Sequence, residues 1–270
     1  MACIETKQLT LAYGENRVID QLDVDIPKGK ITVLIGSNGC GKSTLLKAMA
    51  RLLKPRDGTI ILDGKEIAST NTKQIAKKMA VLPQGPTAPQ ELTVFQLVKL
   101  GRYPHQSLFN QWTKEDEECV WSALKVTKLT DLANRPVESL SGGQRQRAWI
   151  AMTLAQNTDI IMLDEPTTFL DLNHQVEVLD ILFQLNRAQN RTIIMVLHDL
   201  NLSARYADHM IAVANKTVVA SGSPEKIMTE EMIREVFGME SVVATDPLFG
   251  TPMCIPYGKG LRPLKLRAVR

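Results

Sequence analysis

The chain has 270 residues, 44% of them hydrophobic, which is enough for one large domain or two modest ones around a real core. Its formal net charge of +3 is too small to point to nucleic acid. The longest apolar runs, "ITVLI" and "IIML", fall well short of the roughly 20 residues needed to cross a membrane, and "MACIETKQ" lacks the basic-then-apolar pattern of an export signal.

"CIETKQLTLAY", "RVIDQLDVDI" and "GTIILDGKEI" predict a small antiparallel sheet near the N-terminus. The second of these alternates apolar and polar residues, as a half-buried strand does. "KITVLIG" differs. It is continuous, β-branched and bounded by glycine, the pattern of a buried parallel strand. "KSTLLKAMARLL" follows as a helix with Leu45, Leu46, Met49, Leu52 and Leu53 expected on one face. "MAVLPQ", "DIIMLDE" and "RTIIMVLHD" predict three more short buried strands with helical patterns between them, so the core is read as a parallel sheet between helices. Residues 89–156 interrupt that alternation: "TVFQLVKLGRY", "TKEDEECVWSALKVT" and the stretch after Ser141 are all helical. "SPEKIMTEEMIREVFG" predicts a late helical pair. Cys3, Cys40, Cys119 and Cys254 have no metal or redox spacing, and reduced cytoplasmic thiols are expected. The basic tail (Lys259, Arg262, Lys265, Arg267, Arg270) is read as solvated and frayed, with weak contact to anionic lipid as the lesser option.

The chemistry begins at Gly36-Ser37-Asn38-Gly39-Cys40-Gly41-Lys42-Ser43-Thr44, which fits G-x-x-x-x-G-K-[ST] between a buried strand and an apolar-faced helix. Glycines let backbone N–H groups curl around a β-phosphate, Lys42 can reach the β/γ oxygens, and the Ser43 hydroxyl can ligate Mg²⁺. Asp164 ends a buried strand expected to lie beside the phosphate-loop strand, where an acid helps hold the metal. Glu165 follows it and can point elsewhere, near a γ-phosphate, as a general base for water. His198 and Gln84 stand at comparable strand edges. "ESLSGGQRQRAWIAM" opens a second helix on a Ser-Gly-Gly turn, itself suited to an anion.

In order and spacing these elements resemble the nucleotide-binding subunits of ATP-binding cassette (ABC) transporters over nearly the whole chain. Leu140-Ser141-Gly142-Gly143-Gln144 resembles the signature that sets this family apart from other phosphate-loop ATPases. The resemblance implies an α/β fold: a P-loop NTPase core with a mainly parallel sheet flanked by helices, an N-terminal antiparallel β subdomain and an inserted helical subdomain. The expected division is a core over about 1–88 and 157–245, a helical signature subdomain over about 89–156, and a C-terminal tail over about 246–270. Such subunits work as head-to-tail dimers, each ATP lying between the phosphate loop of one copy and the signature of the other. By the same resemblance ATP and Mg²⁺ are the cofactors, and Tyr13 stacks on adenine. The phosphate loop, Gly36 to Thr44, holds the phosphates, while Ser43, Gln84 and Asp164 serve the metal. Glu165, His198 and Gln84 serve hydrolysis, with Gln84 also beside the membrane-subunit contact. Ser141, Gly142, Gly143 and Gln144 complete the partner's site. "TFLD", with Asp171, resembles the loop joining the two halves. Phe169 stands there where a small residue is common, which leaves that loop's geometry open. Cys40 is less usual in the phosphate loop, where small residues fit.

"GRYPHQ", "LDEPTTFLDLNHQ" and "GTPMCIP" resemble segments in importer subunits for iron–siderophores, haem and cobalamin, and lean toward the first. The implied partners are a second copy of the chain, two membrane-spanning permease subunits and, indirectly, a substrate-binding protein, with no nucleic acid. The implied place is peripheral, on the cytoplasmic face of the membrane. Two readings rival this: an ABC ATPase acting on nucleic acid or ribosomes, whose usual coiled coil or second cassette is not seen, and a small-molecule kinase, which would have no reason for "LSGGQ".

Overall fold

A computed structural model describes residues 2–86, 91–106 and 112–258; the basic tail lies outside them. In chain order the elements are β1 (Ala2–Tyr13), β2 (Asn16–Pro27), β3 (Ile31–Ile35), α1 (Lys42–Met49), β4 (Asp57–Leu62), β5 (Lys65–Glu66), α2 (Thr72–Lys78), β6 (Met79–Leu82), α3 (Val94–Leu100), α4 (Lys114–Val126), α5 (Gly142–Ala155), β7 (Ile160–Asp164), α6 (Leu172–Gln189), β8 (Thr192–Val196), α7 (Leu200–Tyr206), β9 (His209–Ala214), β10 (Thr217–Gly222), α8 (Pro224–Ile227), α9 (Glu230–Phe237), β11 (Ser241–Thr245) and β12 (Pro252–Pro256).

Two sheets enclose α1. The antiparallel sheet has the order β2-β1-β4-β5, and the larger one the order β10-β9-β3-β8-β7-β6. In the larger sheet β9, β3, β8, β7 and β6 run parallel, and β10 is antiparallel at the edge. Its central strands are buried on both faces, which explains their unbroken apolar runs. Alternate residues serve two cores. Leu34, Met162 and Val196 face Leu45, Leu46 and Met49 of α1 together with Ile4, Leu22 and Ile60 of the antiparallel sheet. Val33, Leu163 and Met195 face the other way, against Leu97 of α3, Leu124 of α4, Ile150 of α5 and Leu182 of α6.

Two expectations are corrected. β7 does not adjoin β3, because β8 lies between them. α1 stops at Met49 and does not carry Leu52 on its apolar face. Arg51 turns left-handed (φ 59°), its N–H bonds the Ala48 carbonyl at 2.9 Å, and the Leu52 N–H bonds the Lys47 carbonyl at 2.8 Å. This reciprocal C-terminal cap ends the helix and leaves Leu52 exposed. "GTPMCIP" contains a strand, β12, which pairs with β11 and is tied to α7 where the Asn201 side chain exchanges hydrogen bonds with Cys254 N and O.

"GRYPHQ" also has a structural role. Arg102 is fully buried, with Nε donating to Asp116 Oδ1 at 2.8 Å and Nη1 to the Ala155 carbonyl at 2.9 Å. His105 Nε2 lies 2.8 Å from the Gln156 carbonyl oxygen. The segment thus ties the end of α3 to the start of α4 and the end of α5. Burial alone would raise the Asp116 carboxyl, but the hydrogen bonds from Arg102 and Thr113 outweigh it and hold the group below the ordinary carboxylate range. A depressed folded-state pKa means that this pair's contribution is present above the unfolded value and lost as pH falls through the folded one. Arg102→Met strands a buried carboxylate and is expected to cost about 3–5 kcal/mol, whereas Arg102→Met with Asp116→Leu recovers most of it. Urea midpoints of both variants check this; equal losses would remove the pair from the account.

Candidate functional site: a phosphate cleft at the ends of parallel strands

The turn between β3 and α1 is shaped by close packing. A Cβ on Gly36 (φ 149°) would run into the Val213 carbonyl and the Cys40 sulfur, so only glycine fits. Lys42 is buried, and its Nζ donates to the carbonyls of Gly36 and Ser37, each at 2.9 Å. The lysine therefore closes the loop on itself and leaves the loop's rim, Asn38 and Gly39, facing an open cleft of about 500 Å³.

Although β8 intervenes, Asp164 at the end of β7 still reaches α1. Ser43 Oγ donates to its Oδ1 at 2.6 Å, because the first turn of α1 overlies the strand ends. Burial pushes the Asp164 carboxyl up, with the hydrogen bond from Ser43 opposing. The second oxygen, Oδ2, is buried with no partner among the described residues. A serine hydroxyl beside a carboxylate with one unused oxygen is a hard-oxygen set that suits Mg²⁺.

Glu165, in a left-handed conformation (φ 53°), turns away from Asp164 into the cleft. Its carboxylate is held by three groups. His198, two residues past β8, lies 2.7 Å from Oε1 through Nε2. Gln84, two residues past β6, donates Nε2 to Oε2 at 2.7 Å, and Thr168 donates Oγ1 to the same oxygen at 2.9 Å. Burial alone would raise this carboxyl. The hydrogen bond from His198, with those from Thr168 and Gln84, wins and holds it below the ordinary range. The structure thus brings together, around one cleft, Asn38, Gly39, Gly41, Lys42, Ser43, Thr44, Gln84, Glu165 and His198, with Val18 of β2 as an apolar wall. Ser37 and Cys40 line an adjoining cleft of about 350 Å³ with Asn16, Arg17 and Lys216. Tyr13 is half-exposed at the tip of the β1–β2 hairpin, opposite Asn16, and does not line either cleft.

The Ser-Gly-Gly turn is elsewhere. Ser141 caps α5, its Oγ accepting from Gln144 N at 3.3 Å, and Gln144 Oε1 accepts from Ser141 N at 3.1 Å. Neither residue lines the phosphate cleft. Gly142 faces open space, while Gly143 packs against the His174 ring so closely that a Cβ would come 2.5 Å from its Cδ2. His174 in turn is held by Asp171, the N-cap of α6, whose Oδ1 lies 2.7 Å from Nδ1 and accepts from the backbone N–H at 2.9 Å. Those bonds, the backbone one first, keep the Asp171 carboxyl low. Sequence reasoning missed Thr168 and His174. The i, i+3 spacing of Asp171 and His174 at a helix start was a readable signal for the second, but nothing in the sequence singled out Thr168.

The ABC transporter family model matches residues 19–168. The chain belongs to that family. It is similar to the petrobactin import ATP-binding protein FpuD of Bacillus anthracis, 62% identical over 259 residues, which are 96% of this chain and 95% of the relative. It is 49% identical to the ferric enterobactin transport ATP-binding protein FepC of Escherichia coli K12 over 96% of each chain. A dimeric ATP-binding cassette in a post-hydrolysis state, bound to ADP and Pi, superposes with a TM-score of 0.72 at 27% identity, covering 82% of this chain and 98% of that one. The ABC ATPase fold, ATP binding and ATPase activity follow from family membership, as does work in dimers alongside membrane subunits. Among the described residues no helix is long and apolar enough to cross a membrane.

Removing one donor from Glu165 should raise its pKa, since the lost bond favoured the charged form. Thr168→Val is therefore expected to move the Glu165 titration, followed by carboxyl carbon NMR, to higher pH than in the parent. A midpoint that stays put or falls would show that Thr168 does not stabilise the carboxylate.

Proposed function

We propose that the chain is the ATP-hydrolysing subunit of an importer for an iron–siderophore complex. In this reading it closes as a head-to-tail dimer on two ATP and drives uptake through two separate permease subunits, fed by a substrate-binding protein. It would sit peripherally at the cytoplasmic face of the membrane. The observation that carries the substrate class is the end-to-end similarity to subunits named for petrobactin import and ferric enterobactin transport.

Their surroundings support the following residue roles. N–H groups of the loop from Gly36 to Thr44 bind the phosphates, and Lys42 exchanges its loop carbonyls for β/γ oxygens when nucleotide enters. Tyr13 offers a ring for adenine from the hairpin tip. Ser43 and Asp164, with Gln84 nearby, would hold Mg²⁺, which supplies charge neutralisation at the β- and γ-phosphate oxygens. Glu165 accepts a proton from water as the water oxygen bonds to the γ-phosphorus and the bond to the bridging oxygen breaks, giving ADP and phosphate. A carboxylate held ionised is suited to this, and His198 and Gln84 fix its direction. Ser141, Gly142, Gly143 and Gln144 open α5 toward the partner's γ-phosphate, with Asp171 and the loop before it at the shared face. The domain division read from the sequence, with residues 89–156 as a helical unit, then separates the cleft-bearing part from the signature-bearing part.

A deletion strain complemented with this chain tests the reading. The wild-type chain should restore uptake of one or a few ferric chelates under iron limitation, while growth on free iron salts is unaffected throughout. Glu165→Gln should fail to restore uptake. The purified variant should bind ATP normally and lose about 10²–10⁴ in turnover, the usual weight of a general base. Normal uptake of every ferric chelate in the deletion strain would overturn the substrate class. Near-parental turnover by the variant would overturn the role of Glu165.

A further inference from the structure

The carboxylate of Glu165 is held by three side chains, but its backbone needs a separate account. Glu165 is left-handed (φ 53°), a conformation uncommon outside glycine and kept only where the surroundings over-determine it. The turn that follows does little to hold it. Its own backbone bonds are long: Thr168 N–H donates to the Glu165 carbonyl and Leu170 N–H to the Thr167 carbonyl, both at 3.3 Å, and Pro166 has no N–H to give. The short bond comes from another element. Gln146, one turn into α5 and half-buried, donates Nε2 to the Pro166 carbonyl at 2.7 Å. The helix that carries it is itself fixed against α6, by Arg147 paired with Glu177 and by Gly143 packed on His174.

Two anchors therefore flank Glu165. On one side Asp164 pairs with Val196 in the sheet, which sets where β7 ends. On the other, the proline ring fixes φ of Pro166 at about −65°, and Gln146 fixes the peptide plane that follows. Glu165 is the single residue between two fixed points, so its φ and ψ are those that join them, and its side chain leaves the turn into the cleft. We propose that Gln146 is a positioning residue for hydrolysis: by holding the Pro166 carbonyl it forces the left-handed turn at Glu165 and so aims the carboxylate at His198, Gln84 and Thr168. This rests on the reading of Glu165 as the group that takes the proton from water. Gln146 does not line the phosphate cleft, so it acts through Glu165. The phosphates belong to a different element, the turn around Lys42, so loss of aim slows the chemistry and leaves nucleotide binding intact. It also changes the titration. Without the strut the carboxylate drifts from donors that favour its charged form, and its pKa rises. Since Glu165 acts as a base, the acid limb of the kcat profile then moves to higher pH. Because Gln146 lies on α5, the aim of the carboxylate also answers to where that helix sits.

The test uses the full chain with Gln146→Met, which keeps the length of the side chain and removes the donor, alone and combined with Glu165→Gln. Steady-state rates against ATP and pH, taken well below each variant's melting temperature, read the single variant. Slow hydrolysis of labelled ATP reads the combined one against Glu165→Gln. Gln146→Met should lower kcat about 10–100-fold, the scale of a misplaced catalytic group, with KM for ATP unchanged. The acid limb of its kcat profile should lie at higher pH than the parent's. On the Glu165→Gln background the same substitution should cost nothing further, since the strut has no base left to aim. A parental kcat with an unmoved acid limb overturns the proposal. So does an equal proportional loss on both backgrounds, which would make Gln146 a general prop of the fold. Near-parental turnover by Glu165→Gln alone overturns the base, and the strut with it. Should Gln146→Met melt too low to assay, Gln146→Glu takes its place under the same criteria, since its carboxylate keeps the size but accepts where a donor is required.

Discussion

Parallel pairing of β6, β7, β8 and β3 is the constraint from which the rest follows. It places the C-terminal ends of four strands along one edge of a sheet buried on both faces, and α1 must start from that edge. Residues distant in sequence, Gln84, Glu165 and His198, thereby come from three neighbouring strand ends and meet on a single carboxylate. Open α/β sheets bind ligands outside such an edge, where side chains from several strands can converge without disturbing the core. The same geometry lets Ser43 touch Asp164 across the intervening β8, since α1 overlies the sheet and its first turn projects above all three strand ends.

The two anion-suited turns differ in how they are supported. The phosphate loop is held by its own lysine and by close packing at Gly36. The signature turn is held from outside, by His174 against Gly143 and by Asp171 behind His174. Ser141 and Gln144 satisfy donors of the α5 cap, while the first-turn N–H groups of that helix have no partner within it. This helix of 14 residues opens on small residues that do not line its own chain's cleft. In the proposed dimer a second copy supplies the nucleotide that this turn serves.

Much of this was legible in the residues. Unbroken apolar runs marked β3, β6, β7 and β8 because burial on both faces demands them, and alternation marked β2 because one face is exposed. The turn carrying Lys42 and Ser43 and the acid pair were readable as parts of one cleft because phosphate chemistry restricts the residue types, whereas "LSGGQ" stood out only by its resemblance to the family signature. Strand order was not legible: no local property of "DIIMLDE" says that "RTIIMVLHD" lies between it and β3. The end of α1 was misread because Leu52 and Leu53 continue its apolar pattern, while the left-handed turn at Arg51 leaves no mark in composition. "HMIAVA" and "TVVASG" carry no expectation from the sequence, although the first forms the strand beside β3. "GRYPHQ" is legible as a mark of substrate class, but the internal tie that its arginine makes among helices is not. Thr168 was invisible because its importance lies in the turn that folds it back onto Glu165.

Complementation between two damaged copies tests the central claim, that each nucleotide is shared, most directly. Let one copy carry Lys42→Ala and the other Ser141→Arg, both on a Glu165→Gln background so that nothing turns over. Every site is defective in either homodimer, and neither should form an ATP-dependent dimer. In the mixture, one site combines both defects, and the other pairs an intact Lys42 loop with an intact Ser141 turn. The account predicts that mixing recovers ATP-dependent dimers holding nucleotide at that single good site. If the turn served its own chain's nucleotide, every site in the mixture would still be damaged. Absence of dimer in the mixture, under conditions where the Glu165→Gln parent dimerises, would contradict the account.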